Sequence, residues 1–310
     1  METFTPSKRL ELDQKVFDLF DEYVHGAIDR RGFLDRAAKL AASGATAGLT
    51  ATAVLDALSP RFAEAQQVRK DDKRVHAESI TYDAPAGTGR VRGYLVRPAE
   101  AKGKLPAVLV VHENRGLNPH IEDIARRLAL AGFMAFAPDA LTPLGGYPGD
   151  EDKARELFAK LDQAKTREDF VAAVELLARR PDGNGRVGTV GFCWGGGMVN
   201  TLATRVPTLG AAIAFYGMAP ELAAVSRIKA PLQLHYAEHD DRINASAPAY
   251  GAALQAHHVK YEVFRYPGTQ HGFNNDTTPR FDKAAAAQAW QRTLAFLQEH
   301  LHGAGEISRP

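Results

Sequence analysis

The sequence holds one cysteine in 310 residues. That count excludes an intramolecular disulfide, so a buried core rather than covalent staples must hold the fold. A surplus of one charge is missing too: 38 Lys and Arg stand against 37 Asp and Glu, for a formal net charge of +1. Such a balance gives no electrostatic footprint for nucleic acid or for an anionic membrane, and neither is expected as a partner. Long apolar runs are scarce. The stretch from Ala37 to Leu58 is Ala- and Gly-rich and too weakly apolar to be expected as a membrane anchor. Repeats, low-complexity tracts and interdomain linkers are also lacking. What remains is an ordinary globular composition, 45% hydrophobic and 24% charged, sufficient to bury a core. A lone cysteine is either a small buried hydrophobe or a reactive group, and its neighbours must decide.

The first 65 residues read differently from the rest. Arg30 and Arg31 are followed by Gly32, Phe33 and Leu34, then by an uncharged stretch between Ala41 and Val54, then by Ala63-Glu64-Ala65. This order resembles a twin-arginine export signal with a small-x-small cleavage site. It implies the twin-arginine export machinery as a partner and a periplasmic or secreted location, or a cytoplasmic one if the signal is not used. A competing pattern is present: Leu12, Val16, Phe17, Phe20 and Val24 recur at helical spacing ahead of the arginines, and Asp35 sits where a basic residue is usual. That pattern fits an amphipathic extension that stays on the protein.

From Asp71 to His302 strands and helices alternate as one domain. Val75 to Tyr82 and Arg90 to Arg97, separated by Pro85-Ala-Gly-Thr-Gly89, predict an antiparallel hairpin. Pro106 to His112 is an unbroken apolar run, as for a strand buried on both faces. Asn118-Pro119 reads as an N-cap with proline in the first turn of a helix reaching Leu130. Further strands are expected at Phe133 to Pro138, Gly188 to Phe192, Ala211 to Phe215, Leu232 to Tyr236 and Tyr261 to Phe264. Helices are expected at Glu151 to Leu161, Arg167 to Arg180, after Cys193, at Ala245 to His257 and at Lys283 to His300. The alternation predicts a mostly parallel sheet covered on both faces.

The lone cysteine stands in Gly191-Phe192-Cys193-Trp194-Gly195-Gly196-Gly197. This is a G-x-nucleophile-x-G string between a strand and a helix. The chain must turn so sharply there that only very small residues fit two places before and two after the nucleophile. The helix N-terminus beneath Cys193 favours a thiolate and supplies N–H donors. The glycines do not match a dinucleotide-binding loop, and no Gly-Lys-Ser/Thr follows, so a phosphate cofactor is not implied.

On such an elbow an acid and then a histidine follow in chain order, each after a strand end. Asp240 follows the strand at Leu232, with Glu238 and Asp241 as competitors. His271 follows the last strand, with His235, His239, His257 and His258 as alternatives. His271 would take the thiol proton and the acid would fix its tautomer. No His, Cys and carboxylate spacing resembles a zinc site, so no metal is expected.

Four strings in order, Val111-His112-Glu113-Asn114-Arg115-Gly116, Ala137-Pro138-Asp139, Gly191 to Gly196 and Gln270-His271-Gly272-Phe273, resemble the dienelactone hydrolase family over about Asp71 to Leu301. The resemblance implies an α/β-hydrolase fold and cleavage of a carboxylic ester or lactone, with no cofactor. It implies Cys193, Asp240 and His271 as the catalytic triad. The backbone N–H groups of Asn114 and Trp194 would form the oxyanion hole. Glu113 would pair with the resting cysteine and gate its ionisation; a carboxylate in an apolar cleft has a raised pKa and can take a thiol proton. Two arginines that hold the substrate carboxylate in this family are missing: Ala140 to Gly146 contains none, and Asn274 and Asn275 stand after the histidine. Arg115 or Arg242 is left to replace them. The segment Leu141 to Asp150 is a candidate pocket wall or lid.

Overall fold

The computed structural model describes residues 12–302. Four helices come first: α1 (Gln14–Val24), α2 (Arg30–Ala42), α3 (Ala51–Leu58) and the short α4 (Phe62–Ala65). They lead into β1 (Val75–Ala84), β2 (Gly89–Pro98), β3 (Leu105–Val111), α5 (Pro119–Leu130) and β4 (Met134–Pro138). Then follow α6 (Glu151–Phe158), α7 (Gln163–Ala178), β5 (Gly183–Phe192), α8 (Trp194–Arg205), β6 (Ala211–Phe215) and β7 (Leu232–His239). The described residues close with α9 (Asp241–Asn244), α10 (Ala247–Ala256), β8 (Tyr261–Gln270) and α11 (Lys283–Leu301).

The eight strands form one sheet in the order β1-β2-β4-β3-β5-β6-β7-β8. The β1–β2 and β2–β4 pairs are antiparallel and every other pair is parallel. This is the expected mostly parallel sheet with its N-terminal hairpin. Two buried clusters cover its faces, one around Leu109, Phe136, Phe170 and Tyr250, the other around Val108, Phe192, Ile213 and Leu297. β3 is buried along almost its whole length, which explains its unbroken apolar sequence. Asn118 caps α5, its side chain accepting from the Ile121 N–H at 3.2 Å with Pro119 behind it.

Several boundaries differ from expectation. α7 starts at Gln163 rather than Arg167, because Asp162 accepts from the N–H groups of Ala164 and Lys165 and caps the helix there. The helix expected over Ala245 to His257 is present as α10, with Pro248 in its first turn, and the short α9 opened by Asp240 precedes it. β7 and β8 run on to His239 and Gln270, so the acid and the histidine stand directly at strand ends.

The N-terminal segment expected as an export signal folds, in residues 12–65, as the four helices above. Phe33, Val16, Phe20, Tyr23, Val54 and Leu58 build a separate small core. Arg30 opens α2 and its Nη1 lies 2.6 Å from an Asp152 carboxylate oxygen, and the Tyr23 hydroxyl donates to the same side chain. Phe33 is fully buried. Among the described residues no helix is long and apolar enough to cross a membrane.

Candidate active site

Strand β5 delivers Cys193, the next residue after its end, and β3 delivers Glu113 and Asn114. The two strands are parallel neighbours, with Val111 opposite Gly191. Sites on sheets of this kind form beyond the carboxyl ends of the strands. Cys193 has φ 58° and ψ −118°, a left-handed conformation strained for a residue with a Cβ. The turn is possible because a Cβ at Gly191 would lie 2.2 Å from the Gly195 carbonyl oxygen, and one at Gly195 would lie 2.3 Å from the Val111 oxygen. α8 starts at Trp194, so its first N–H groups have no partner within the helix and face the elbow. The Trp194 ring is held from three sides, stacked on His112 at 5.4 Å and edge-on to Phe158 and Phe170.

His271, beyond β8, places Nδ1 2.6 Å from Asp240 Oδ2. Both side chains are buried. The Asp240 carboxylate also accepts from the Ile243 N–H at 3.4 Å, which fixes its rotamer. Of the competing acids, Glu238 is exposed and accepts from the Gly268 N–H, and Asp241 is exposed. Of the competing histidines, His235 is buried within β7 between Tyr266 and Gln233, and burial pushes it down to about 3. His239, His257 and His258 are exposed.

Cys193 Sγ, a ring nitrogen of His271 and a ring nitrogen of His25 all lie within 4.8 Å of one another. His25 comes from the end of α1, and its Nε2 is 3.2 Å from Sγ. Sequence reasoning missed this residue: it stands 168 positions from Cys193 in a segment without any catalytic string. Burial would raise the thiol, but the His25 and His271 charges outweigh it and hold Cys193 down at about 5. Burial would lower His271, but the Asp240 carboxylate and the thiolate push it up to about 10. The pair therefore rests as thiolate and imidazolium. Three such atoms could in principle bridge a small cation. The Arg242 guanidinium, 2.9 Å from His25 Nε2, already places a permanent positive charge there, so the cluster suits shared protons better than a dication.

Glu113 is half-buried, and its Oε2 accepts from Asn275 Nδ2 at 2.9 Å. Asn275 is itself aimed by Thr277, whose N–H and hydroxyl both donate to its Oδ1. Asn114 lines both cavities that reach Cys193, and its side chain donates to the Val24 carbonyl at 2.8 Å. The larger cavity, about 850 Å³, runs past Trp194 and Met218 and is ringed by Arg155, Arg167, Arg242 and Lys160 against the single acid Glu156. The smaller, about 410 Å³, lies under the N-terminal helices and holds Arg115 and Arg280 beside Glu113, Glu151 and Asp152. Part of the Leu141 to Asp150 segment lines this smaller cavity. The Asp139 carboxylate ties that segment down by accepting from the Leu141 and Tyr147 N–H groups.

A strained cysteine elbow, with a buried Asp–His pair beyond it on this sheet order, defines the α/β-hydrolases. The comparisons narrow the class. A family model described as the dienelactone hydrolase family matches residues 91–301. An inferred carboxymethylenebutenolidase of Saccharolobus solfataricus is 32% identical over 259 residues, covering 71% of this chain and 98% of that one. An inferred 2-oxo-3-(5-oxofuran-2-ylidene)propanoate lactonase of a Bradyrhizobium species is 33% identical, covering 68% and 90%. The crystal structure of an inferred dienelactone hydrolase from Klebsiella pneumoniae superposes with a TM-score of 0.62 at 29% identity, covering 72% and 99%. A separate model described as YqhI-like matches residues 6–39. The chain belongs to the dienelactone hydrolase family and is a hydrolase of carboxylic esters or lactones.

Proposed function

We propose that the protein opens a lactone or ester that carries a carboxylate, with Cys193 as nucleophile, His271 as acid and base and Asp240 as its orienting acid. The observation that carries the reading is Cys193 at the strained elbow, facing His271, whose far nitrogen is 2.6 Å from buried Asp240. The thiolate attacks the carbonyl carbon and a C–S bond forms. The carbonyl oxygen becomes an oxyanion held by the Asn114 and Trp194 N–H groups. Its collapse breaks the C–O bond, and the leaving oxygen takes the His271 proton. His271, now neutral, removes a proton from water. The hydroxide attacks the thioester, the C–S bond breaks, and the thiolate returns with a carboxylic acid as product.

The carboxylate on the substrate is supported by the larger cavity, where four cations face one acid. Arg242 and Arg155 there offer planar, charge-assisted contacts, although they occupy different chain positions from the arginines that this sequence lacks. The lactonase relative acts, by its name, on a propanoate lactone. Arg155→Gln, assayed on a carboxylate lactone and on p-nitrophenyl acetate, tests this, since Arg242 also bonds His25 beside the sulphur. The expected result is a KM for the lactone raised about tenfold or more, from loss of a charged hydrogen bond of ~1.5–3 kcal/mol, with the neutral ester little affected. Equal effects on both substrates would reject the carboxylate assignment.

A further inference from the structure

We propose that His25, backed by Asp21, is a second catalytic histidine on Cys193, and that the N-terminal helices carrying it belong to the catalytic unit. The inference rests on the reading of Cys193 as nucleophile. His25 Nε2 is 3.2 Å from Cys193 Sγ, and Nδ1 is 2.8 Å from the Asp21 carbonyl oxygen and 3.2 Å from Asp21 Oδ1. A carbonyl oxygen only accepts, so Nδ1 must carry a hydrogen. When the sulphur is a thiolate, which only accepts, Nε2 carries one too; when Arg242 donates to it, Nε2 carries none. A ring held between these two acceptors is an imidazolium, and the Asp21 carboxylate offsets its charge. Burial would lower His25, but the thiolate and Asp21 outweigh it and raise the ring above its ordinary value.

The arrangement sets a second Asp–His pair beside the Asp240–His271 pair. Two Asp–His pairs converge on one sulphur, with the two rings edge to face at 4.9 Å. Other charges face the cluster. Arg242 on α9 lies 2.9 Å from His25 Nε2 and 3.6 Å from Asp21, and Arg280 lies 3.8 Å from Asp21. Glu113 and Arg115 stand beyond β3 on the smaller cavity. Arg242 can donate only to an unprotonated Nε2, so its bond to the ring and the sulphur's bond to the ring are alternatives. Glu113 Oε2 accepts from Asn275, while His25 Nε2 lies 3.2 Å from the sulphur. His25 loses no proton in the cycle. Its N–H stabilises the thiolate before attack and again when the thioester expels it.

The α1 end is anchored where this role needs it. The Val24 carbonyl accepts from Asn114 Nδ2 and Arg115 Nη1, and the Arg61 N–H donates to the Thr277 carbonyl at 2.8 Å. The separate family model over residues 6–39 spans His25. Cleavage after Ala65 would remove the ring, so the active enzyme must retain the segment.

The test is the pH dependence of Cys193 alkylation by iodoacetamide in the full-length protein, with His25→Gln, Asp21→Asn and Cys193→Ala beside wild type. Circular dichroism checks each fold. His25→Gln is expected to move the midpoint up from about 5 by about a unit or more, and thereby to slow alkylation about tenfold near pH 4, below both midpoints. Asp21→Asn keeps the ring and shifts the midpoint the same way by less. A His25→Gln profile that overlays wild type overturns the proposal, as does an active enzyme, purified from cells, whose intact mass begins beyond residue 65. If wild-type Cys193 itself titrates as an ordinary thiol and Cys193→Ala still hydrolyses esters, the nucleophile reading fails instead. The two failures are thus distinct.

Discussion

Replacing Gly195 with alanine should disable the enzyme, whereas the same change at Gly197, two residues on, should not. A Cβ at position 195 would stand 2.3 Å from the Val111 carbonyl oxygen and 2.5 Å from that of His112. An ordinary carbon–oxygen contact is about 3.3 Å, so the elbow or β3 must give by ~1 Å. Neither obstacle is a flexible side chain. Both belong to the strand end that carries Glu113 and Asn114, so relief moves an oxyanion donor relative to the sulphur. A misplacement of ~1 Å in a reacting geometry costs about a hundredfold in rate, and overpacking costs about 1–3 kcal/mol in stability. At Gly197 the nearest atom to an added Cβ is 3.5 Å away, an ordinary contact. Alanine there should stabilise α8 by up to ~1 kcal/mol. The assay is kcat on p-nitrophenyl acetate together with the melting temperature for both variants. Gly195→Ala within threefold of wild type, or Gly197→Ala as impaired as Gly195→Ala, would refute the steric account of the elbow.

Asp240→Asn removes the charge that fixes and supports the His271 imidazolium, and kcat should fall by about 10² to 10⁴ with the fold retained, as steady-state kinetics would read. For a neutral activated ester, kcat/KM should climb as pH rises through about 5, where the depressed Cys193 ionises, and then stay level. An ordinary thiol would keep it climbing toward pH ~8.5. Arg126 is fully buried and donates to the Val68 carbonyl at 2.8 Å and the Tyr94 hydroxyl at 3.1 Å, with Asp123 3.6 Å away. Arg126→Met should cost about 1–3 kcal/mol in urea unfolding by leaving the Val68 carbonyl without its donor, Asp123 being still held by Arg127, with kcat of the folded protein unchanged.

Much of the site was legible because its constraints are local. The Gly191 to Gly197 string, the apolar run of β3 and the strand-end positions of Asp240 and His271 each follow from a short stretch whose backbone geometry restricts residue type. The acid among Glu238, Asp240 and Asp241 was not local: burial against His271 singles out Asp240, and burial is a property of the fold. The short α9 was not expected, because it is a single turn opened by the Asp240 side chain. His25 had no local signature. The period of Val16, Phe20 and Val24 pointed to a packed helix, while the arginine pair pointed to a leader. What decides its surroundings is tertiary: Asn114, Asp152, Arg242 and Arg280 lie far along the chain and meet α1 and α2 only after folding.

The most direct measurement is steady-state hydrolysis of p-nitrophenyl acetate and of a carboxylate lactone by wild type beside Cys193→Ala. With Cys193 as the attacking atom, kcat in the variant should fall by about 10⁴ to 10⁶ on both substrates while the melting profile stays that of a folded protein. Hydrolysis persisting undiminished in Cys193→Ala would contradict the account at its centre.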